Sequence, residues 1–326
     1  MSTPLELARR AVLARYGAAV AGFRWAALGS GGGLSGAALW RGDDAGHPLL
    51  ALKAWPPGTT ADRLAAVHAL MRRAGHLPFV PAVLSTADSS SVVVAAGRVW
   101  DLCRWMPGAA DTDPSPDPAR VANAAAALAA VHRAWASAVP RLAPCPAVLR
   151  RLDALAEFRR YRHVLGRSTA AGPEAVRRAA DAVARLGPAA EAALRPWAGR
   201  PVPVQPCLVD VRRDHVLFAG VAVTGLVDYG AVQDDHPAAD LARLLGELAG
   251  ENDHLFAAGL AAHAAAGGPA EPAPGFARLL DRAGVVAALA AWLVRPLADD
   301  RPPSDPAAAA ARVAALTSRA EHFAGV

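Results

Sequence analysis

The strongest limit on this chain is one short stretch, Pro206 to Gly230, PCLVDVRRDHVLFAGVAVTGLVDYG. From Asp117 onward almost every other segment has the apolar spacing of a helix. Within this stretch, Val216 to Phe218 and Val221 to Val227 are apolar and rich in β-branched residues, with Ala219-Gly220 between them, which is the pattern of a β-hairpin. Asp210 and Asp228 stand at its two ends. A hairpin returns the chain to where it began, so its two carboxylates can serve one metal-phosphate centre.

The residues before this stretch read differently. Residues 3 to 17 have helical spacing and end at Gly17. Then comes a glycine-rich run, Leu28 to Gly36, in which Gly31, Gly33 and Gly36 satisfy GxGxxG. A dinucleotide-binding unit needs a helix after those glycines. Here a short apolar run, Ala37 to Trp40, a Gly-Asp-Asp turn and a second run, Pro48 to Trp55, give strand, loop, strand instead. No Gly-Lys-Ser/Thr follows, so a P-loop is excluded. Two readings of the run stay open: a flap whose backbone amides cover nucleotide phosphates, or a plain flexible hairpin.

Lys53 lies in the second of those strands, and it is the only lysine in a chain whose other basic residues are arginine. A lysine flanked by apolar residues must snorkel to water or meet an anion. Residues 60 to 75 read as a helix capped by Thr60 and stopped by Gly75, and 80–84, 91–95 and 99–104 read as further strands. The polar, proline-rich connection after Trp105 then separates two lobes. Beyond it the helical segments are 118–135, 147–164, 173–195, 238–249, 252–266, 274–295 and 305–323.

Composition excludes several classes of function. At 53% hydrophobic and 19% charged residues, the chain can bury a sizeable core. No apolar run is long enough to span a membrane and no leader precedes the first helix, so the expectation is a soluble, unprocessed, cytoplasmic protein. Three scattered cysteines, Cys103, Cys145 and Cys207, fit neither a disulfide framework nor a zinc site. The net charge of +5 is spread over helices rather than gathered in a stripe with aromatics, which argues against nucleic acid as a partner.

The order of glycine flap, strand lysine, helix, connection, helices, aspartate loop, hairpin and second aspartate resembles the protein-kinase-like fold, and within it the aminoglycoside phosphotransferase and choline kinase-like family. Leu208 to Phe218 matches that family's HGDxxxxN loop, Val227-Asp-Tyr-Gly230 its I-D-W/F-G segment, and His236-Pro-Ala-Ala-Asp240-Leu-Ala242 its D-P-x-x-D-L-A. The resemblance covers roughly residues 25 to 260 and implies a bilobal α+β fold. A small β-rich lobe with one main helix would occupy 1–105, and a larger, mostly helical lobe 106–326.

It also implies ATP-dependent phosphoryl transfer to a hydroxyl group of a small molecule, with Mg2+, or Mn2+ in its place. Asp210 would orient the hydroxyl, Asp228 would ligate the metal, and Lys53 would contact the nucleotide phosphates under a flap of Gly31, Gly33, Ser35 and Gly36. Asp240 would tie the catalytic loop from a partly buried position.

The departures from the family pattern are Leu208-Val209 for His-Gly, His215 for the metal-binding asparagine, and the absence of glutamate between 54 and 100 to pair with Lys53. Imidazole is a poor ligand for hard magnesium. Either Asp214 joins the metal shell, or one metal site is weak, or a softer ion is used. His215 itself either binds metal or phosphate or packs behind the loop. Asp62 and His68 are the candidates to replace the missing glutamate, and one of Arg212 and Arg213 suits phosphate contact. The same departures leave open a silent kinase fold that binds nucleotide or a partner without turnover. The excess of arginine in 145–200, among them Arg150, Arg151, Arg159, Arg160 and Arg162, disfavours a polycationic acceptor. Oligomeric state is unreadable.

Overall fold

The computed structural model describes residues 4–29, 36–113, 115, 117–167, 172–298 and 305–323. The first helix, α1 (Pro4–Ala14), buries Val12 and Leu13 as its spacing predicts. A single turn, α2 (Ala18–Ala21), leads to β1 (Arg24–Ala27), β2 (Ala38–Asp44) and β3 (His47–Ala54). The β2–β3 turn is tighter than the Gly-Asp-Asp reading: it is Ala45-Gly46, with φ of 46° and 86°, and Arg41 to Asp44 pair as strand. Two successive left-handed residues match the twist of the flanking strands, so the ladder can run to the tip.

Helix α3 (Ala61–Arg73) starts where Thr60 accepts a hydrogen bond from the Arg63 N–H at 3.3 Å, and it turns Leu64, Val67, His68 and Met71 inward. Strands β4 (Val93–Ala95) and β5 (Arg98–Arg104) complete an antiparallel sheet of order β1-β2-β3-β5-β4. Residues 80–84 are not a strand but an isolated bridge, Val83 to Cys103. Pro78 and Pro81 remove ladder donors there, a cost that the apolar pattern hides. Trp40 stacks on Trp100 at 5.3 Å inside a core with Leu52, Leu102, Val12 and Leu13.

The connection after Trp105 contains a two-residue strand, β6 (Ala109–Ala110), and leads into α4 (Pro118–Trp135), which is largely buried. Then follow β7 (Arg141–Pro144), α5 (Pro146–Tyr161), α6 (Pro173–Leu194) and β8 (Pro201–Cys207). The hairpin is β9 (Val216–Ala219) and β10 (Ala222–Leu226), so its turn is Gly220-Val221, one residue later than expected, with Gly220 at φ 61°. β6 pairs with β9 to give β10-β9-β6. The chain ends with β11 (Gln233–Asp235), α7 (Ala238–Leu248), α8 (Asp253–Ala265), α9 (Phe276–Ala298) and α10 (Pro306–Phe323).

The small sheet β11-β8-β7 has no counterpart in the sequence reading. Pro201, Pro203 and Pro206 argue against a strand, yet β7 pairs with residues 201–204 and β11 with 205–207, so each half of β8 has one side without a partner strand. Residues of α5, α6, α9 and α10, including Leu155, Val183, Leu289 and Leu316, form a helical core. The chain divides into two compact units, residues 1–120 with 213–230, and residues 121–212 with 231–326. The hairpin therefore groups with the N-terminal sheet although it lies inside 106–326. No helix among the described residues is long and apolar enough to cross a membrane.

Candidate functional site

In the first unit, strand alternation puts Leu52 and Ala54 inside and leaves Lys53 partly exposed. Lys53 Nζ lies 2.9 Å from Asp228 Oδ1 and 3.9 Å above the Trp55 ring centroid. Asp228 lies two residues past Leu226, the last residue of β10, and takes φ 63°, a left-handed conformation, with its carboxylate at Lys53 of β3. Gly230 makes room for this arrangement, since a Cβ there would stand 2.7 Å from the Trp55 ring. Burial works to raise the Asp228 carboxyl, but the Lys53 charge and hydrogen bond, His215 and the Gly230 N–H hold it below the ordinary carboxylate range.

His215 is buried, and its Nε2 lies 3.7 Å from Asp228 Oδ2 and 3.7 Å from Asp214 Oδ1. The structure therefore brings Lys53, Asp228, His215 and Asp214 together at one end of the hairpin. Neither Asp62 nor His68 pairs with Lys53 among the described residues. His68 instead bonds the buried Asp101 of β5 at 3.0 Å, and Asp101 also accepts from Trp55 Nε1 at 2.9 Å. Trp55, which lies against Lys53, is thereby tied through Asp101 to His68.

The second unit builds the other loop. Asp240 is fully buried at the start of α7, and its carboxylate accepts from the N–H groups of Leu208 at 2.7 Å and Val209 at 2.6 Å. His132 of α4 bonds the same carboxylate at 3.0 Å, and its other ring nitrogen lies 3.2 Å from His263 Nε2. Burial first, then the neighbouring His132 and Arg133, push His263 down to about 3, so the ring is neutral.

Val209 takes φ 66°, and Asp210 N bonds Leu208 O at 2.8 Å, a γ-turn centred on a β-branched residue. Where the family motif has glycine, the backbone still takes the glycine conformation. Asp210 itself is half-exposed, with Arg243 Nη2 at 3.0 Å from its Oδ1.

Gly31, Gly33 and Ser35 lie outside the described residues. Gly36 has φ 74°, and its carbonyl accepts from Arg98, which also bonds the Trp55 carbonyl. Arg213 is committed to the carbonyls of Asp111 and Asp113 at 2.8 and 2.7 Å and braces that loop. Sequence reasoning missed Asp101, Trp55, Arg98 and Arg243. Only Arg243 had a local signal, directly after Asp240-Leu-Ala.

Among the described residues, the only three His, Cys, Asp or Glu side chains with donor atoms all within 4.8 Å are His132, Cys207 and Asp240. Burial raises the Cys207 thiol well above its usual range, and Asp240 is already committed to three N–H donors, so this cluster does not suit an ion. Asp228, His215 and Asp214 do not meet that spacing as a set, although the His215 imidazole lies 3.7 Å from each carboxylate. That set mixes hard and softer ligands.

The sequence model of the phosphotransferase enzyme family matches residues 27–280. No curated protein matches the chain. Among solved structures, a spectinomycin phosphotransferase in complex with ADP and spectinomycin is similar with a TM-score of 0.71 and 11% identity, covering 100% of this chain and 99% of its own. An aminoglycoside phosphotransferase from Alicyclobacillus acidocaldarius has a TM-score of 0.63 and 16% identity over 97% and 94% of the two chains. A choline/ethanolamine kinase family protein from Mesorhizobium loti has 0.59 and 22% over 96% and 94%. The last two fit the resemblance read from the sequence motifs.

Proposed function

The chain belongs to the phosphotransferase enzyme family, and on that premise we propose that it transfers the terminal phosphoryl group of ATP to a hydroxyl group of a small molecule. The observation that carries the reading is the Lys53–Asp228 pair: the chain's only lysine and the carboxylate just beyond the β9–β10 hairpin meet at 2.9 Å in the first unit. Phosphoryl transfer needs placement and charge neutralisation more than covalent chemistry. In this reading Lys53 holds nucleotide phosphates and the flap at Gly31, Gly33, Ser35 and Gly36 covers them with backbone amides.

Asp228 would hold the divalent cation, Mg2+ or Mn2+, with Asp214 and His215 as the further protein donors. Bound there, the ion supplies neutralisation of phosphate charge. Asp210 accepts or orients the acceptor hydroxyl proton. The solved relative with ADP bound supports a nucleotide as donor. Arg212, beside the braced Arg213, is the loop arginine we assign to anionic groups.

The test is ADP release and mass-spectrometric detection of a phosphorylated acceptor, with Asp210→Asn as control. Loss of a positioned proton acceptor costs about 10²- to 10⁴-fold in rate, while nucleotide affinity stays unchanged. Full transfer by Asp210→Asn would sink the assignment. Nucleotide binding with no turnover in any metal would instead favour the silent binder.

A further inference from the structure

We propose that Asp101 is a positioning residue for Lys53: it fixes the indole of Trp55, on whose face the lysine ammonium rests, and so keeps that charge aimed at nucleotide phosphates once Asp228 is taken by a cation. The proposal rests on the phosphotransferase reading above and adds the residues that set its lysine.

In the β3–β5 register Lys53 stands directly opposite Asp101. Opposed residues share a face of a sheet, and so do residues two apart along a strand. Lys53, Trp55 and Asp101 therefore project from one face, while Leu52, Ala54, Trp100 and Leu102 fill the core under the other. On the shared face α3 lays down His68, which is buried, as are Asp101 and Trp55. The Asp101 carboxylate uses both of its oxygens: Oδ1 accepts from Trp55 Nε1 at 2.9 Å, and Oδ2 lies 3.0 Å from His68 Nε2. The main chain of Trp55 is held as well, since its N–H donates to the Val99 carbonyl at 2.8 Å and its carbonyl accepts from Arg98 at 3.2 Å. Backbone and indole N–H together fix the orientation of the ring.

That orientation serves two parts of the site. The ring face carries the Lys53 ammonium 3.9 Å from its centroid, and the benzene edge abuts Gly230, two residues after Asp228, where a Cβ would stand 2.7 Å from Cζ3. Asp228 also holds Nζ, at 2.9 Å. In the transfer reading that carboxylate turns to the cation, and the lysine, a point charge on a flexible four-carbon stem, loses its ion-pair partner. The indole face and the Asp101 charge across the strand remain. An indole is the best of the aromatic faces for a cation, and it serves only while the ring keeps its place, which the bond to Asp101 secures. A buried polar cluster that merely stabilised the sheet would make no demand on where the ammonium lies.

Because Lys53 is the chain's only lysine, the full-length protein grown on carbon-13 lysine gives one side-chain Hε–Cε signal by NMR. The indole face shields protons above it, so the parent signal lies upfield of that of Trp55→Leu. Asp101→Ala moves it at least halfway to the Trp55→Leu position, whereas Asp101→Asn, which keeps an acceptor oxygen for the indole, leaves it near the parent's. The same proteins, with Trp55→Phe, which keeps an aromatic face and loses the N–H, are titrated with ADP and with adenosine. Loss of the placed ammonium weakens ADP by about 3- to 30-fold in Asp101→Ala and Trp55→Phe, and adenosine affinity is unchanged, since only ADP carries phosphates. A parent signal at the Trp55→Leu position, an Asp101→Ala signal at the parent's, or equal losses of ADP and adenosine affinity overturn the positioning role. Should Asp101→Ala not fold, Trp55→Phe decides, and ADP binding there at the parent affinity overturns the tether. Unchanged ADP affinity in Lys53→Met would overturn the nucleotide reading and leave the placement of Lys53 by Asp101 and Trp55 standing.

Discussion

Replacing Asp240 by asparagine tests whether one buried carboxylate holds the Asp210 loop. The carboxylate accepts three N–H groups, from Leu208, Val209 and His132, at 2.7, 2.6 and 3.0 Å. Asparagine keeps the shape but has one acceptor oxygen, and its own NH2 must then face a donor. Hydrogen bonds to a charged acceptor contribute about 1.5–3 kcal/mol each. Disrupting a buried charged network by removing one partner costs about 3–5 kcal/mol, and Asp240→Asn falls in that range. The backbone amides lose their anchor at the residue before Asp210, so transfer falls further. A displacement of about 1 Å at a reacting group is enough for a ~100-fold loss.

Equilibrium urea unfolding reads the stability. Nucleotide titration should give an unchanged affinity, since Lys53 and Asp228 belong to the other unit. His132→Gln, which removes one donor from the same carboxylate, should cost less than Asp240→Asn. A stability loss below about 1 kcal/mol, with transfer near the parent rate, would refute the anchoring role of Asp240.

Val209→Gly should leave stability nearly unchanged. Relief of a left-handed conformation is worth about 1–2 kcal/mol, which offsets the similar loss from glycine entropy and the half-buried side chain, and a cost above ~3 kcal/mol in urea unfolding would contradict the strain. Gly230→Ala drives a Cβ to 2.7 Å from Trp55 and should cost about 1–3 kcal/mol while weakening nucleotide binding through Lys53; unchanged affinity would detach Trp55 from the site.

Burial holds His236 at about 4 and His263 at about 3. The unfolded chain therefore binds protons from 6.5 downward that the folded chain refuses, and stability falls as pH drops from 6.5 towards 4. Unfolding at pH 5 should show a loss of about 2 kcal/mol per histidine relative to pH 7, and a flat profile would contradict their burial as neutral rings. Asp228 does not add to that window, because its depressed carboxyl loses its contribution only below the unfolded carboxylate range.

What the sequence makes legible is what one segment settles by itself. The helices, the hairpin and its two acids follow from local spacing, and the family resemblance follows from their order. Residues whose meaning depends on a distant partner are hidden. β8 reads as a proline-rich loop because nothing in PVPVQPC reveals that β7 and β11 each cover only half of it. The missing glutamate suggests a loosened lysine, until the β3–β5 register sets Asp101 opposite Lys53 and α3 brings His68 to Asp101.

The arginines of 145–200 likewise look like an acceptor surface. Arg150 is instead bound to buried Asp235, Arg151 to the carbonyls of Ala147 and Leu280, and Arg159 to Glu191.

Val209 shows why a departure from a motif is weak evidence of lost function. Glycine at that position matters for its backbone conformation, and valine holds a left-handed φ here because Asp240 takes the successive N–H groups of Leu208 and Val209. The strain of about 1–2 kcal/mol is smaller than two charge-assisted hydrogen bonds supply. A loop that replaces glycine can therefore keep its geometry as long as its buried acceptor remains, and Asp240, rather than Val209, is the residue on which the loop depends.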